Sequence, residues 1–313
     1  MSAERLPWIA EDPASLRLLE LAQKVANAPT TLLITGESGT GKDHLARLVH
    51  ELGPRRDAPF LKIDCASLPP QLVESELFGH EAGAFTGAVE RKLGRLELGG
   101  NGTIVLDEIA ALSPGAQTKL LRVLQERTFE RLGGTEMLRI EARIVALTNV
   151  DLTEAVTTGR FREDLFFRLN VLALTVPPLR ERRIDILPLA EHLLAVLRAI
   201  HGRPGAHLSE ASRRMLAAYG WPGNVRELRN ALERAAVFSQ RDTLEPADFP
   251  DNMQPAAAGT LAATAGLRSL EEVEREVISA TLEATRYKIS RAAEALGISR
   301  KTLLEKRKKY GLK

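Results

Sequence analysis

The segment that most narrows what this chain can become is Gly36-Glu37-Ser38-Gly39-Thr40-Gly41-Lys42, set between the apolar run TLLIT (31–35) and the helix-forming stretch DHLARLVHEL. It fits G-x-x-x-x-G-K in the strand–loop–helix context that this motif requires. Glycines allow backbone angles closed to other residues, so successive N–H groups can turn toward phosphate oxygens. The helix start adds the positive end of its dipole, and Lys42 adds a mobile point charge. Asp43 comes next, where the common form has the Ser or Thr whose hydroxyl binds magnesium.

A second segment supports the first. Thr103-Ile104-Val105-Leu106 reads as a strand ending in Asp107-Glu108. Asp107 is suited to hold magnesium, directly or through water, and Glu108 to orient an attacking water. Further strand-like runs occur at 60–64, 143–148 and 172–176, with helical stretches between them. Alternating strands and helices predict an α/β fold with a parallel sheet covered on both faces. The stretch 14–27 predicts a helix with Leu18, Leu21, Ala22 and Val25 on its inner face. Beyond Pro177-Pro178, residues 185–238 carry helical patterns and no convincing strand, and residues 250–266 read as an Ala/Pro/Gly linker.

Net charge is only +2, yet its distribution is uneven. From Arg268 to Lys313 there are twelve Lys/Arg against seven Asp/Glu, and between Arg286 and Lys313 ten against two. A basic end on a nearly neutral body suggests a module that binds a polyanion. Ser290 to Ser299 has the small residue, then glycine four on, that two closely crossing helices need at their turn. Ser299 can cap a second helix, Arg300 to Tyr310, with Leu303 and Leu304 facing inward. That helix would present Arg300, Lys301 and Thr302 to base edges in a major groove, and Lys306 and Arg307 to phosphates. A solvated basic helix is the alternative. Leu270, Val273, Val277, Ile278 and Leu282 make an apolar stripe for packing or dimerisation.

Cys65 is the only cysteine, which excludes an intrachain disulfide and a Cys-rich zinc site and suits a buried apolar role. The first residues have no signal-peptide core, and no run reaches the ~18 apolar residues of a membrane span, so a cytoplasmic protein is expected.

GESGTGK, ESELFGHEAGAFTGA (74–88), LDE (106–108), FREDLFFRLNV (161–171), PPLRER (177–182) and WPGNVREL (221–228) together resemble the central domain of sigma-54-dependent activators, the bacterial enhancer-binding proteins of the AAA+ superfamily. The likeness covers roughly residues 8–250, and the tail resembles the Fis-type helix-turn-helix that follows in that family. GAFTGA is the most specific element, since related ATPases with other tasks lack it. The resemblance implies an AAA+ ATPase subdomain (1–182), a helical lid (183–249), a linker (250–267) and a Fis-type DNA-binding domain (268–313). It further implies ATP and magnesium at the interfaces of a homo-oligomer, from dimer to hexamer, with enhancer DNA and the sigma-54 RNA polymerase holoenzyme as partners.

Residue by residue, the resemblance assigns Gly36 to Asp43 to the nucleotide, with catalytic roles for Lys42, Asp107 and Glu108. Arg162 and Arg168 become fingers entering a neighbour's site, although a helix would not put residues six apart on one face; surface arginines are the ordinary alternative. Arg226 becomes a lid sensor, and Thr148 and Asn149 a polar sensor at a strand end, otherwise simple caps. Gly83, Ala84, Phe85, Thr86, Gly87 and Ala88 become the loop that engages sigma-54, with Phe85 and Thr86 central. From residue types alone, Phe85 packed into its own core is equally open. Residues 130–135 resemble a second loop that moves alongside it. Asp64 stands where the family commonly has Asn and is expected to repel Glu108 rather than donate to it.

Family members usually begin with a sensory domain, and only a short lead precedes residue 14 here. Control by a trans-acting regulatory protein is therefore expected, unless the chain is cut from a longer one. A DNA-binding regulator with a silent nucleotide site, acting without sigma-54, is the rival reading; so is a DNA-remodelling ATPase. GAFTGA and Glu108 oppose the first, and GAFTGA opposes the second.

Overall fold

The computed structural model describes residues 8–254, 270–285 and 287–311, without the side chains of residues 270–273, 283 and 284. Residues 255–267 of the expected linker, and the side chains of Leu270 and Val273 in the expected stripe, lie outside this description. Chain contacts divide the molecule into two units, residues 1–255 and 256–313.

The first unit is built on five strands, β1 (Leu32–Thr35), β2 (Phe60–Asp64), β3 (Thr103–Asp107), β4 (Arg143–Thr148) and β5 (Leu172–Thr175). All pair in parallel, in the order β2-β3-β4-β1-β5. Alternate residues serve opposite faces. Leu32, Ile34, Val105, Val145 and Leu147 pack against helices α1 (Pro13–Ala26) and α2 (Lys42–Leu52). Leu33, Ile104, Leu106, Ile144 and Ala146 pack on the other face against α3 (Pro70–Phe78), α4 (Pro114–Glu126), α5 (Leu152–Thr157) and α6 (Glu163–Leu169). A sheet buried on both faces needs near-continuous apolar strands, and the three inner ones, β1, β3 and β4, are such strands.

Helix α1 corrects one expectation. Leu21 is 47% exposed, while Ser15, Leu18, Ala22 and Ala26 are buried. Ser15 donates its hydroxyl to the fully buried Asp185, whose other oxygen accepts the Glu11 and Asp12 N–H groups at 2.7 and 2.8 Å. That polar anchor sets the rotation of α1 and turns Leu21 outward.

The second half of this unit is helical: α7 (Ile186–His201), α8 (Glu210–Ala218) and α9 (Asn224–Phe238). Trp221 is fully buried among them and donates Nε1–H to the Leu216 carbonyl at 2.9 Å. The apolar cluster extends to Phe249 and Met253. A short pairing in this half escaped the sequence reading: His207–Leu208 bridges Thr243–Leu244 in parallel.

The second unit holds α10 (Leu270–Ala284), α11 (Ile289–Ala295) and α12 (Arg300–Lys309). Ile278 and Leu282 pack on Ala292, Ala293 and Leu303. Gly297 takes φ 65 at the turn, and Ser299 Oγ accepts the Thr302 N–H at 3.1 Å as the cap of α12. Leu304, expected inside, is 49% exposed, because adjacent helical residues point about 100° apart and Leu303 takes the inward place.

Candidate functional site

The site assembles at the carboxyl ends of the strands, where open parallel sheets place their ligands. Thr35 ends β1, and the chain enters Gly36 to Gly41 with glycines 36, 39 and 41 all at positive φ (145, 79 and 101). Gly39 is boxed in: a Cβ there would sit 2.4 Å from the Gly223 carbonyl oxygen and 3.1 Å from Arg226 Cβ. The reason is the lid. At the start of α9, Val225 and Arg226 donate their N–H groups to the Gly39 carbonyl at 3.0 and 3.3 Å.

Side chains reinforce this junction. Arg226 Nη1 donates to Ser38 Oγ at 2.7 Å, and Arg182, itself buried, donates to the Thr40 carbonyl at 2.6 Å. Arg180 forks onto Glu37 at 2.8 and 2.5 Å, while Asn224 Nδ2 reaches Glu37 Oε2 and the Ser38 carbonyl, both at 3.1 Å. The Arg180 fork, then the Asn224 amide, holds the Glu37 carboxyl at about 2.

Lys42 opens α2 and is 7% exposed, its ammonium curled onto the Gly36 and Glu37 carbonyls at 2.8 and 3.1 Å. Burial pushes that ammonium below its usual range, with Arg226 adding to the push and Glu108, Asp107 and Asp43 opposing it. A cleft of about 260 Å³ brings Ser38, Gly39, Gly41, Lys42, Asp43, Asp107 and Glu108 together with Arg226 and Arg229. An adjoining cleft gathers Glu37, Ser38, Asn149 and Arg226. The loop and acid strand inferred from sequence thus meet at one place.

Glu108 sits in the left-handed region (φ 49), a strained conformation for a non-glycine residue that recurs at functional sites. Its Oε2 accepts the Asn149 N–H at 3.4 Å. Asp64 Oδ1 accepts the Ala66 and Ser67 N–H groups at 2.9 and 3.2 Å, closing a local turn. Thr148 is fully buried, and its Oγ1 accepts the Val150 N–H at 3.0 Å, a strand-end cap beside the exposed Asn149.

Two ionic features were missed in the sequence. Lys62 bridges Asp43 and Asp107, and its signal was a lone cation inside the strand FLKID beside an acid-tipped neighbour. Arg131, 3% exposed, pairs with Glu81, Glu97 and Glu136, gripping Glu97 with both nitrogens of its fork. Pairs 34 and 50 residues apart leave no local pattern.

Arg162 and Arg168 line neither cleft. Arg162 precedes α6 in extended conformation and is forked onto Asp164 at 3.0 and 2.6 Å; Arg168, in the last turn, donates to the Leu124 carbonyl. Because Arg162 lies outside the helix, the helical spacing argument against a shared face does not apply.

Gly83 to Ala88 form a tight turn closed by Gly83 N–H to the Ala88 carbonyl at 2.8 Å, with Gly83 and Gly87 at φ 81 and 108. Thr86 is exposed, and Phe85 is 39% exposed, resting edge-on against His80 at 5.0 Å. Phe85 is therefore not a core residue. The Glu81 N–H and the Leu132 carbonyl join the base of this turn to the stretch 130–135 at 3.0 Å.

On the second unit, Arg300 and Lys301 lie exposed along the first turn of α12, with Thr302 half-buried beside them. Lys306, expected on phosphates, is ion-paired here with Glu274, which also accepts the Tyr310 hydroxyl at 2.6 Å. Arg307 is half-buried. No helix among the described residues is long and apolar enough to cross a membrane.

Comparison with known proteins agrees with this geometry. Residues 8–175 match the Sigma-54 interaction domain, 180–265 the AAA+ ATPase lid domain and 269–310 the Fis family of bacterial regulatory proteins. Transcriptional regulatory protein FlbD of Caulobacter vibrioides is 42% identical over 97% of this chain and 70% of its own length. Regulatory protein AtoC of Escherichia coli is 43% identical over 97% and 68%, and the Nif-specific regulatory protein of Azotobacter vinelandii 45% identical over 93% and 56%. The crystal structure of NtrX from Brucella abortus in complex with ATP superposes with a TM-score of 0.76 at 31% identity, covering 98% of this chain and 70% of that one. The chain belongs to the sigma-54-dependent transcriptional activators, AAA+ ATPases in which a sigma-54 interaction domain is joined to a helical lid and a Fis-type DNA-binding module.

Proposed function

We infer that this chain hydrolyses ATP between adjoining copies of itself and uses the change to remodel sigma-54 RNA polymerase holoenzyme, opening promoter DNA while its tail holds an enhancer. Gly36 to Asp43 bind the phosphates, and Lys42 adds charge to their outer oxygens. Glu108 orients the attacking water. The close pairing of the Asp43 and Asp107 carboxylates on one cation, the Lys62 ammonium, supports a donor set suited to magnesium. Magnesium bound there with nucleotide would supply positive charge against the phosphate oxygens.

Arg162 and Arg168 do not line their own chain's cleft, which supports their serving a neighbour's, where they offset charge on the transferred phosphoryl group. A homo-oligomer, dimer to hexamer, follows from that division of labour. Asn149, whose N–H meets Glu108, ends β4 and relays the site's state toward the turn at 83–88. Arg226 reports the nucleotide to the lid. On DNA, Arg300, Lys301 and Thr302 read bases, with Arg307 on phosphates.

The observation that carries this reading is an exposed aromatic and threonine on a glycine-hinged turn, tied at its base to a second loop. Thr86→Ala, assayed for ATP turnover and for open-complex formation with purified sigma-54 polymerase, should keep the first and lose the second. Retained open complexes would refute the loop assignment. The domain limits proposed from sequence, 1–182, 183–249, 250–267 and 268–313, are testable by limited proteolysis, with cuts concentrated in the expected linker, 250–267.

A further inference from the structure

Lys62 lies on β2, whose in-register pairing with β3 sets Lys62 beside Val105 and Asp64 beside Asp107. From there its ammonium reaches Asp107 Oδ2 at 2.7 Å and Asp43 Oδ1 at 2.5 Å. Asp43 belongs to the first turn of α2 and Asp107 ends β3, so one side chain ties the helix that follows the phosphate loop to the acid strand. The other oxygen of Asp107 accepts the Glu108 N–H at 3.0 Å. Both oxygens are therefore engaged by the protein itself. Although burial works the other way, hydrogen bonds to Asp107 and Asp43 hold the Lys62 ammonium above its usual range.

We propose that Lys62 is a positioning residue that acts as a tethered counter-ion: it pairs Asp43 with Asp107 and disfavours free divalent cations there, so that magnesium binds preferentially together with a nucleotide's phosphates. This rests on the reading of Asp107 as the magnesium-holding residue. Magnesium sheds water reluctantly and is usually held by one or two carboxylates plus substrate phosphates. With one positive charge already fixed between the two acids, a free divalent ion must displace an ammonium or sit close to it. The phosphates of a bound nucleotide bring the missing negative charge and reverse that balance. The Lys62 side chain is 38% exposed, so solvent screens the repulsion and the expected handicap is on the order of tenfold rather than total.

The test is Mn2+ binding to the full chain, read from the electron paramagnetic resonance of the free ion, with and without a non-hydrolysable ATP analogue. Without nucleotide, Lys62→Met should bind Mn2+ on the order of tenfold more tightly than wild type, and adding Asp43→Asn should remove the gain. Lys62→Arg, which keeps the charge, should match wild type. If Lys62→Met does not fold, Lys62→Gln carries the same expectation. Equal nucleotide-free affinity for wild type and the uncharged variant overturns the inference alone. Wild type that binds no Mn2+ even with the analogue overturns the reading of Asp107, and the inference with it.

Discussion

Replacing Gly39 with alanine tests how the lid is joined to the phosphate loop. The residue adopts φ +79, which costs an L-amino acid about 1–2 kcal/mol. Its new Cβ would lie 2.4 Å from a backbone oxygen, that of Gly223, which has no flexible end to swing aside. Restoring ordinary contact, about 3.5 Å, requires the start of α9 to retreat by about 1 Å. That retreat breaks the hydrogen bonds from Val225 and Arg226 to the Gly39 carbonyl, each worth about 1 kcal/mol. The total comes to about 3–4 kcal/mol. Gly41→Ala is the control: at φ +101 it bears the conformational cost, yet its Cβ would meet nothing within 4 Å. Thermal unfolding of both variants should therefore separate them by at least about 4 °C, with Gly39→Ala the less stable. Coincident midpoints would show that the contact between lid and loop contributes nothing, and the reasoning would fail.

Glu108→Ala should abolish ATP turnover while nucleotide still binds, and Lys42→Ala should lose binding as well; equilibrium binding of a fluorescent ATP analogue beside a phosphate-release assay separates the two. Arg131→Ala leaves Glu81, Glu97 and Glu136 without their shared cation, and should destabilise the chain by about 2–3 kcal/mol by chemical denaturation, less than a fully buried pair because Glu136 is 66% exposed. Burial pushes the Cys65 thiol up to about 12, so thiol-alkylating reagents at pH 8 should spare it in the folded chain and label it on unfolding. Because the folded value lies above that of a free thiol, about 9, the folded chain holds that proton longer; its contribution to stability is complete below pH 9 and drains away as pH rises toward 12, which an unfolding series across that range would show.

Strands were the most legible part of this chain. The segments 60–64, 103–107 and 143–148 emerge as β2, β3 and β4 with those same limits; the two central ones, β3 and β4, are uninterrupted apolar runs between polar ends, as a sheet covered on both faces demands, while edge strand β2 carries Lys62 within it. The phosphate loop was legible for a related reason, since its chemistry is contained in seven consecutive residues. Rotation of a helix about its axis was not. Leu21 and Leu304 both sit next to the buried stripe by residue type, and only the Ser15–Asp185 contact and the packing of Leu303 decide which way each turns. Ion pairs were hidden for want of a local pattern: Lys306 finds Glu274 32 residues away, and Arg180 finds Glu37 across 143. The turn that Asp64 closes with the Ala66 and Ser67 N–H groups was hidden for the same reason as the helix rotations, since residue type does not say which donors a side chain meets.

The edge contact of Phe85 with His80 has a further bearing on how that turn behaves. His80 is held from behind, its Nδ1 2.8 Å from Ser75 Oγ, so the imidazole is a fixed shelf and the phenyl ring is the part free to leave. Letting go forfeits about 0.5–1.5 kcal/mol of ring–ring contact together with the burial of the covered part of the ring. A surface that offers the ring a deeper seat than the shelf will take it, and when that surface withdraws the shelf is there to receive it again.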